Sequence, residues 1–515
     1  MNLDIRLVLR QLGLLMLVLS ALIVAVAAFA WLDHFVGEPT ETIEPLALLV
    51  AALSGTLVGA GLLLAGKKRA AFIGQREALL LVALGWLSGA ALCALPYWIW
   101  AQLRGASQTP GHDFDLFINC YFEAMSGLTT TGSTIIQKLA TVPRSLLLWR
   151  ALTQWIGGLG IVVLFVALLP ILGLGTMRRV LSHEARAVSR DVVRPRIQDT
   201  ARVLWMLYAG LTIAQVLALR LAGVPWFEAV CHTFATVATG GFGTLDSSIA
   251  AFSSTVQIII VVFMVLASVN FGLYYLALHG RWRSLIQDPE LRAYLIILVL
   301  ASVVISASLA GRPLPPGALP EDQPGLGDVV RHAAFQVVSI ETTTGFCTAD
   351  FDQWGFIPKA VLVIVMFIGG SSGSTAGGVK VIRILIVIKV MLAELEHYYR
   401  PRVVRTVRVG NVVVDAELRL QTMVYLVGTL TLFAIGTTLL MILGGGRPID
   451  ITSAATAALT TMHNVGPGLG LVGATQNFAW FSEPSKAVMC ILMVLGRLEL
   501  FTILVLFTPK FWKSE

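Results

Sequence analysis

The sequence predicts an all-α polytopic membrane protein with ten transmembrane helices, eight of them in four helix–loop–helix repeats. Three observations carry this expectation. Charge is scarce and excluded from long apolar runs, basic residues alternate from one side of those runs to the other, and a glycine-centred turn recurs four times between them. Only 13% of the 515 residues are charged, half the ~25% of a soluble domain, and mean hydropathy is +0.81.

No Asp, Glu, Lys or Arg interrupts Gln11–Leu32, Pro45–Gly66, Ala78–Leu103, Ala151–Met177, Val203–Leu219, Ser247–Gly280, Ala293–Gly311, Ala360–Val379 or Leu420–Gly446. A tenth run, Ala487–Thr508, holds only Arg497 and Glu499. A helix needs ~20 apolar residues to cross a bilayer core, so ten spans are expected. An even number puts both termini on one side. That side carries 26 of the 37 basic residues, which makes it cytoplasmic by the positive-inside rule. The net charge of +7 therefore reflects topology in a bacterial inner membrane, with headgroup contact, and calls for no nucleic acid. The first run ends in Ala28-Phe29-Ala30, an imitation of a signal-peptide cleavage site. Its length favours an uncleaved helix.

Internal repetition appears in the outward connections: FEAMSGLTTTGST (122–134), CHTFATVATGGFGT (231–244), FQVVSIETTTGFCT (335–348) and ATAALTTMHNVGPG (455–468). These align on Gly132, Gly240, Gly345 and Gly466, each 15 to 17 residues beyond a helix-start signal at Asp115, Pro225, Asp328 or Asp450. The stretch between is a helix of ~12 residues, roughly 18 Å, too short to span. It reads as a half-helix that dips into the membrane and ends at the glycine. Each unit is thus span, half-helix, turn, span, a helix–pore loop–helix repeat. The organisation is an extra helix pair in 1–75, then repeats in 76–180, 197–283, 288–411 and 412–515.

Non-helical backbone at membrane depth must line a cavity or lie buried in protein. Four equivalent turns converge most simply on one axis, as a central pore. The turns are Thr130-Thr131-Gly132, Ala238-Thr239-Gly240, Thr343-Thr344-Gly345 and Asn464-Val465-Gly466. Glycine lets successive carbonyls face one direction, and a ring of carbonyls replaces the hydration shell of an alkali cation. Half-helix C-termini add negative dipole ends, and the turns contain no carboxylate of the kind a divalent-selective ring would carry.

In the third repeat, Gly369-Gly370-Ser371-Ser372-Gly373-Ser374-Thr375-Ala376-Gly377-Gly378 interrupts the last run. Glycine costs ~1 kcal/mol relative to alanine in a helix, so a broken helix acting as a movable plug is expected; tight helix packing is the alternative. A P-loop fails, because Gly378-Val379-Lys380-Val381 lacks the GK[ST] order. Arg497, read as lying mid-span, needs a cavity or a partner, either as a cation-repelling group under the turns or as a structural donor to backbone carbonyls. No HExxH or GxSxG occurs and the eight histidines are dispersed, so no enzyme is expected. Five scattered cysteines without CxxC spacing suggest neither disulfides nor zinc.

At TTTG (129–132), ATGGF (238–242), SIETTTGF (339–346) and NVGPGLG (464–470) the chain resembles the Trk/Ktr/HKT superfamily of potassium transporters, of the TrkH/TrkG type. WIGGLGI (155–161), FIGGSSGSTAGGVKVIR (367–383) and LGRLEL (495–500) extend the likeness across about 76–511. The resemblance implies potassium uptake through a single-glycine filter, with K⁺ bound at those twelve turn residues. It also implies an obstructing loop at 369–378 with Arg497 nearby, a homodimer, and a cytosolic nucleotide-binding regulatory subunit (TrkA-like). Potassium would be cargo, with no organic cofactor in this chain. A coupled symporter of alternating-access type is the rival. His463 and Glu341 depart from the family pattern beside the turns, either packed behind them or making flux pH-dependent.

Overall fold

The computed structural model describes residues 3–36, 43–66, 74–104, 113–168, 194–311, 315, 317–321, 324–402, 406–410, 412–498 and 500–512. Side chains at 35, 36 and 161–201 lie outside that description, as do Glu499 and most of the basic segment 178–202.

Apolar sequence without competing charge leaves helix as the means of satisfying backbone groups in lipid, and the described chain is dominated by helices. Six are each long and apolar enough to cross a bilayer: Ile5–His34, Ile43–Ala65, Gln75–Arg104, Arg202–Leu221, Pro289–Leu309 and Ala416–Leu443. Arg144–Leu168 adds 25 residues of helix. Their outer faces keep large apolar side chains exposed, such as Leu57, Leu64, Val299 and Val427, as a lipid-facing surface requires. The first two helices approach closely where glycine allows it: a Cβ on Gly13 would lie 2.7 Å from the Gly59 carbonyl oxygen.

Two other runs do not form straight helices. Ser254–Ala267 and Phe271–Leu278 meet at 88°, and Glu483–Arg497 and Leu500–Phe507 at 117°. The first bend follows from Asn270, whose Oδ1 accepts from Gly272 N at 2.8 Å and starts a new helix. The second corrects the expectation for Arg497, which closes a helix at the bend and is not in the middle of a straight span. In the run 360–379, Phe356–Phe367 stops after 12 residues, and helix resumes at Val381.

Four short helices end inside the protein: Phe117–Leu128, Trp226–Val237, Leu326–Glu341 and Ile451–His463. Of the four start signals, Asp450 caps as expected, accepting from Ser453 N at 3.4 Å. Asp115 does not cap; the first half-helix starts after Leu116, with no side-chain acceptor. Asp328 is already three residues inside its helix and reaches back to Gly325 N at 3.1 Å. Two large core clusters surround these half-helices. One joins residues of 16–149 with residues of 440–498, the other residues of 219–381 with Leu459, Val465 and Leu469.

Candidate functional site: a ring of four backbone turns

Each half-helix ends in the same backbone figure. One residue takes a left-handed conformation, and the residue after it donates its N–H five residues back into the helix. The left-handed residues are Thr130 (φ 52°), Thr239 (φ 54°), Thr343 (φ 55°) and Asn464 (φ 56°). The donors that follow are Thr131 to Ser126 O (2.8 Å), Gly240 to Ala235 O (2.8 Å), Thr344 to Ser339 O (2.9 Å) and Val465 to Thr460 O (2.9 Å). Next in each turn comes a glycine at positive φ: Gly132, Gly241, Gly345 and Gly466. Positive φ is strained for threonine, at a cost of order 1–3 kcal/mol, and its fourfold recurrence marks a shared constraint.

This figure corrects the register of the second turn. By backbone conformation its members are Thr239-Gly240-Gly241, one residue later than the alignment on Gly240, and Ala238 is the last residue capping the half-helix. The missed signal was the Gly-Phe pair: Gly241-Phe242 matches Gly345-Phe346.

The four turns touch in a closed cycle. A Cβ on Gly132 would collide with the Gly240 carbonyl oxygen, one on Gly241 with that of Thr344, and one on Gly345 with that of Val465. One on Gly466 would sit 3.1 Å from that of Thr131. Each glycine therefore faces the carbonyl preceding the glycine of the next turn. A side chain at any of the four would push the ring open. Among the described residues, no hydrogen bond is directed to the carbonyls of Thr131, Thr344 or Val465. The Gly240 carbonyl differs, accepting from Gln154 Nε2 at 2.6 Å. A cavity of about 130 Å³ opens onto the ring, and Gly132, Gly241, Gly345 and Gly466 all line it.

The threonine hydroxyls of the turns are partly engaged behind them. Thr131 Oγ1 bonds Thr129 Oγ1 at 2.7 Å and accepts from Asn464 Nδ2 at 2.9 Å; Thr344 Oγ1 bonds Thr342 Oγ1 at 2.7 Å. Neighbouring turns are also tied beyond the glycines. Ile249 N donates to Cys347 O, Gly470 N to Asp352 Oδ1, and Phe478 N to Thr134 O. Between the first and second turns, Leu139 N donates to Asp246 Oδ1 at 2.8 Å, and an ion pair is added: Arg150 Nε lies 2.6 Å from Glu123 Oε1, with side chains 3% and 0% exposed.

The segment 369–378 forms a loop closed at its base by Gly369 N to Val379 O (3.0 Å) and Val379 N to Phe367 O (3.1 Å). It packs against the ring. Gly377 N donates to Thr343 Oγ1 at 2.7 Å, Thr375 Oγ1 to Val237 O at 3.1 Å, and a Cβ on Gly377 would meet His463 O. Sequence reasoning missed its dock, the bend at 268–270. There Ser371 N donates to Ser268 O at 3.0 Å and Phe271 N to Gly373 O at 3.2 Å, so each break satisfies the other's freed backbone groups. Glu290 was missed as well; its Oε1 accepts from Ser372 N at 2.7 Å and Ile382 N at 3.2 Å. Arg497, 4% exposed, donates from Nη1 to Thr375 O at 2.8 Å and from Nη2 to Gly157 O at 3.4 Å. Lys380 Nζ donates to the adjacent Ala376 O.

The two departing residues sit behind the turns. His463 Nδ1 lies 3.1 Å from Leu459 O, with its ring edge-on to Phe367. Glu341 is fully buried, and neither carboxylate oxygen has a hydrogen-bond partner among the described residues.

The fold and site define a helical, multi-pass membrane protein. Residues 54–514 match the family model TrkH, described as a cation transport protein. The Trk system potassium uptake protein TrkH of Salmonella typhimurium is 36% identical over 454 residues, covering 85% of this chain and 86% of that protein. TrkH of Halomonas elongata is 35% identical over 516 residues, covering 99% and 100%. The crystal structure of the potassium transporter TrkH from Vibrio parahaemolyticus matches with a TM-score of 0.86 at 32% identity, over 99% of this chain and 100% of that one. The chain belongs to the TrkH family of cation transport proteins.

The corrected register yields a test. Gly241→Ala should abolish most cation flux, because its methyl enters the Thr344 carbonyl at positive φ. Gly240→Ala, whose methyl meets the Gln154 side-chain amide rather than a neighbouring turn's carbonyl, should retain more flux than Gly241→Ala. Tracer uptake at matched expression decides it, and equal loss in both would contradict the register.

Proposed function

We propose that this chain mediates potassium uptake across the bacterial inner membrane. In this reading ten spans, eight of them in four repeats, enclose a central pore whose filter is the glycine ring. The observation that carries it is the cyclic contact of the four turns, each glycine against the next turn's carbonyl. Carbonyls left without donors inside a protein are costly, and a dehydrated monovalent cation on the ring axis supplies the missing positive partner. Relatives named as potassium uptake proteins, at 36% and 35% identity, support potassium as that cation.

The filter comprises Thr130, Thr131, Gly132, Thr239, Gly240, Gly241, Thr343, Thr344, Gly345, Asn464, Val465 and Gly466, with Ala238 at the entrance of the second turn. Residues 369–378 are the gate. Their hydrogen bonds to the half-helix ends, through the Thr343 and Thr375 hydroxyls, support a closed state, in which Arg497 and Lys380 donate to consecutive loop carbonyls. A guanidinium and an ammonium stand there in place of a passing ion. Opening requires these bonds to exchange for others. A homodimer, a TrkA-like nucleotide-binding partner on the cytoplasmic face and cytoplasmic termini complete the proposal, as the family resemblance implies.

In a strain lacking its own potassium transporters, wild-type chain should restore growth on low potassium. Gly345→Ser should relax the preference for Rb⁺ over Na⁺ by about tenfold, the ~1.4 kcal/mol lost when ring spacing changes. Unchanged preference in a folded variant would remove the filter. Deletion of Ser371–Ala376 should raise flux without any regulatory partner; an inserted deletion protein with wild-type flux would show that the loop does not gate.

A further inference from the structure

Three of the four joints between turns use hydrogen bonds, one of them to the Asp352 carboxylate, whereas the joint between the first and second also buries an ion pair. Burying an ion pair forfeits hydration that its own attraction repays only in good geometry, so its use at this one joint calls for a reason beyond stability. Glu123 lies in the first half-helix, seven residues before Thr130. Its carboxylate accepts from Thr134 Oγ1 (3.0 and 3.1 Å) and from Ile135 N (3.0 Å), and so holds the segment leaving the first turn. Arg150 belongs to the following helix. Its Nη1 donates to Gly243 O at 2.9 Å, and its guanidinium lies 3.5 Å from the centre of the Phe242 ring, so it holds the segment leaving the second turn. The same helix bears Gln154, which brackets the second turn by donating to Gly240 O and accepting from Phe242 N at 3.1 Å.

Arg150 also lines the cavity above the ring. An uncompensated guanidinium there would repel any approaching cation, and Glu123 is its only ion-pair partner among the described residues. We propose that Glu123 and Arg150 are a positioning pair that couples the spacing of the first two turns to the charge of the outer mouth. Asp246 also lines that cavity; the Glu123–Arg150 pair adds no net charge to it only when both members are present, and that balance sets how tightly a monovalent cation enters.

This inference rests on the ring being the filter, and the sign of the response separates it from that reading. Removing the acid alone makes the mouth one charge more positive than in the wild type, and removing the base alone makes it one charge more negative. Glu123→Gln should raise the apparent KM for Rb⁺ uptake about tenfold and Arg150→Gln should lower it, each effect shrinking in high salt. The double variant should return toward wild type. A merely structural pair would shift both singles in one direction, and that result, or no shift in folded singles, overturns the proposal. Should a single variant fail to accumulate, Arg150→Lys, which keeps the charge but not the fork to Gly243, should hold the wild-type KM while relaxing Rb⁺ over Na⁺ preference. A changed KM there overturns it as well. Gly345→Ser in the same assay reports on the filter independently: if its ion preference is unchanged the underlying reading fails, whatever the sign seen for the pair.

Discussion

The structure depends on one steric constraint: four backbones approach one another too closely for any side chain to stand between them. At Gly132, Gly241, Gly345 and Gly466 an added Cβ would meet the neighbouring turn's carbonyl. The close approach dictates glycine, glycine permits the positive φ, and that φ carries the chain out of the half-helix and away from the ring. The strain at Thr130, Thr239, Thr343 and Asn464 is offset by regular i→i−5 hydrogen bonds that end each half-helix. A site built from backbone in this way owes its geometry to what surrounds it. This explains the density of buried polar ties in a protein that is otherwise 56% hydrophobic.

Those ties divide the labour. Behind the ring, side chains such as Gln154, Asn464 and Ser339 fix individual turns, Ser339 Oγ donating to Phe346 O at 2.6 Å. Above it, inter-turn bonds and the Glu123–Arg150 pair fix the turns to one another. Beside it, the loop 369–378 and the bend at 268–270 form a second irregular layer, in which two helix breaks complete each other's hydrogen bonding. The first two layers are rigid by construction. The third rests on small residues and backbone hydrogen bonds, as the proposed gate requires.

Much of this was legible from sequence because membrane physics leaves few choices. Several charge-free runs and the repeated glycine reappear in the described structure as helices and turns. The second turn slipped by one because ATGGFG offers two adjacent glycines, and periodicity alone does not say which bears the positive φ; Phe242 held the answer. The bends at Asn270 and Arg497 were hidden because helix breaks inside apolar runs need no proline when another segment accepts their freed backbone groups. Glu123, Arg150 and Glu290 escaped notice for a related reason. Single charges near the ends of apolar stretches look like topology signals until their partners are known.

The central claim is that the ring is where a monovalent cation sheds its water. The most direct test is anomalous scattering from crystals of the protein grown in rubidium or thallium. The account predicts a peak on the ring axis, bounded by the carbonyls of Thr131, Gly240, Thr344 and Val465 and weakened by competing potassium. A cation found consistently elsewhere, with that axis empty, would contradict it.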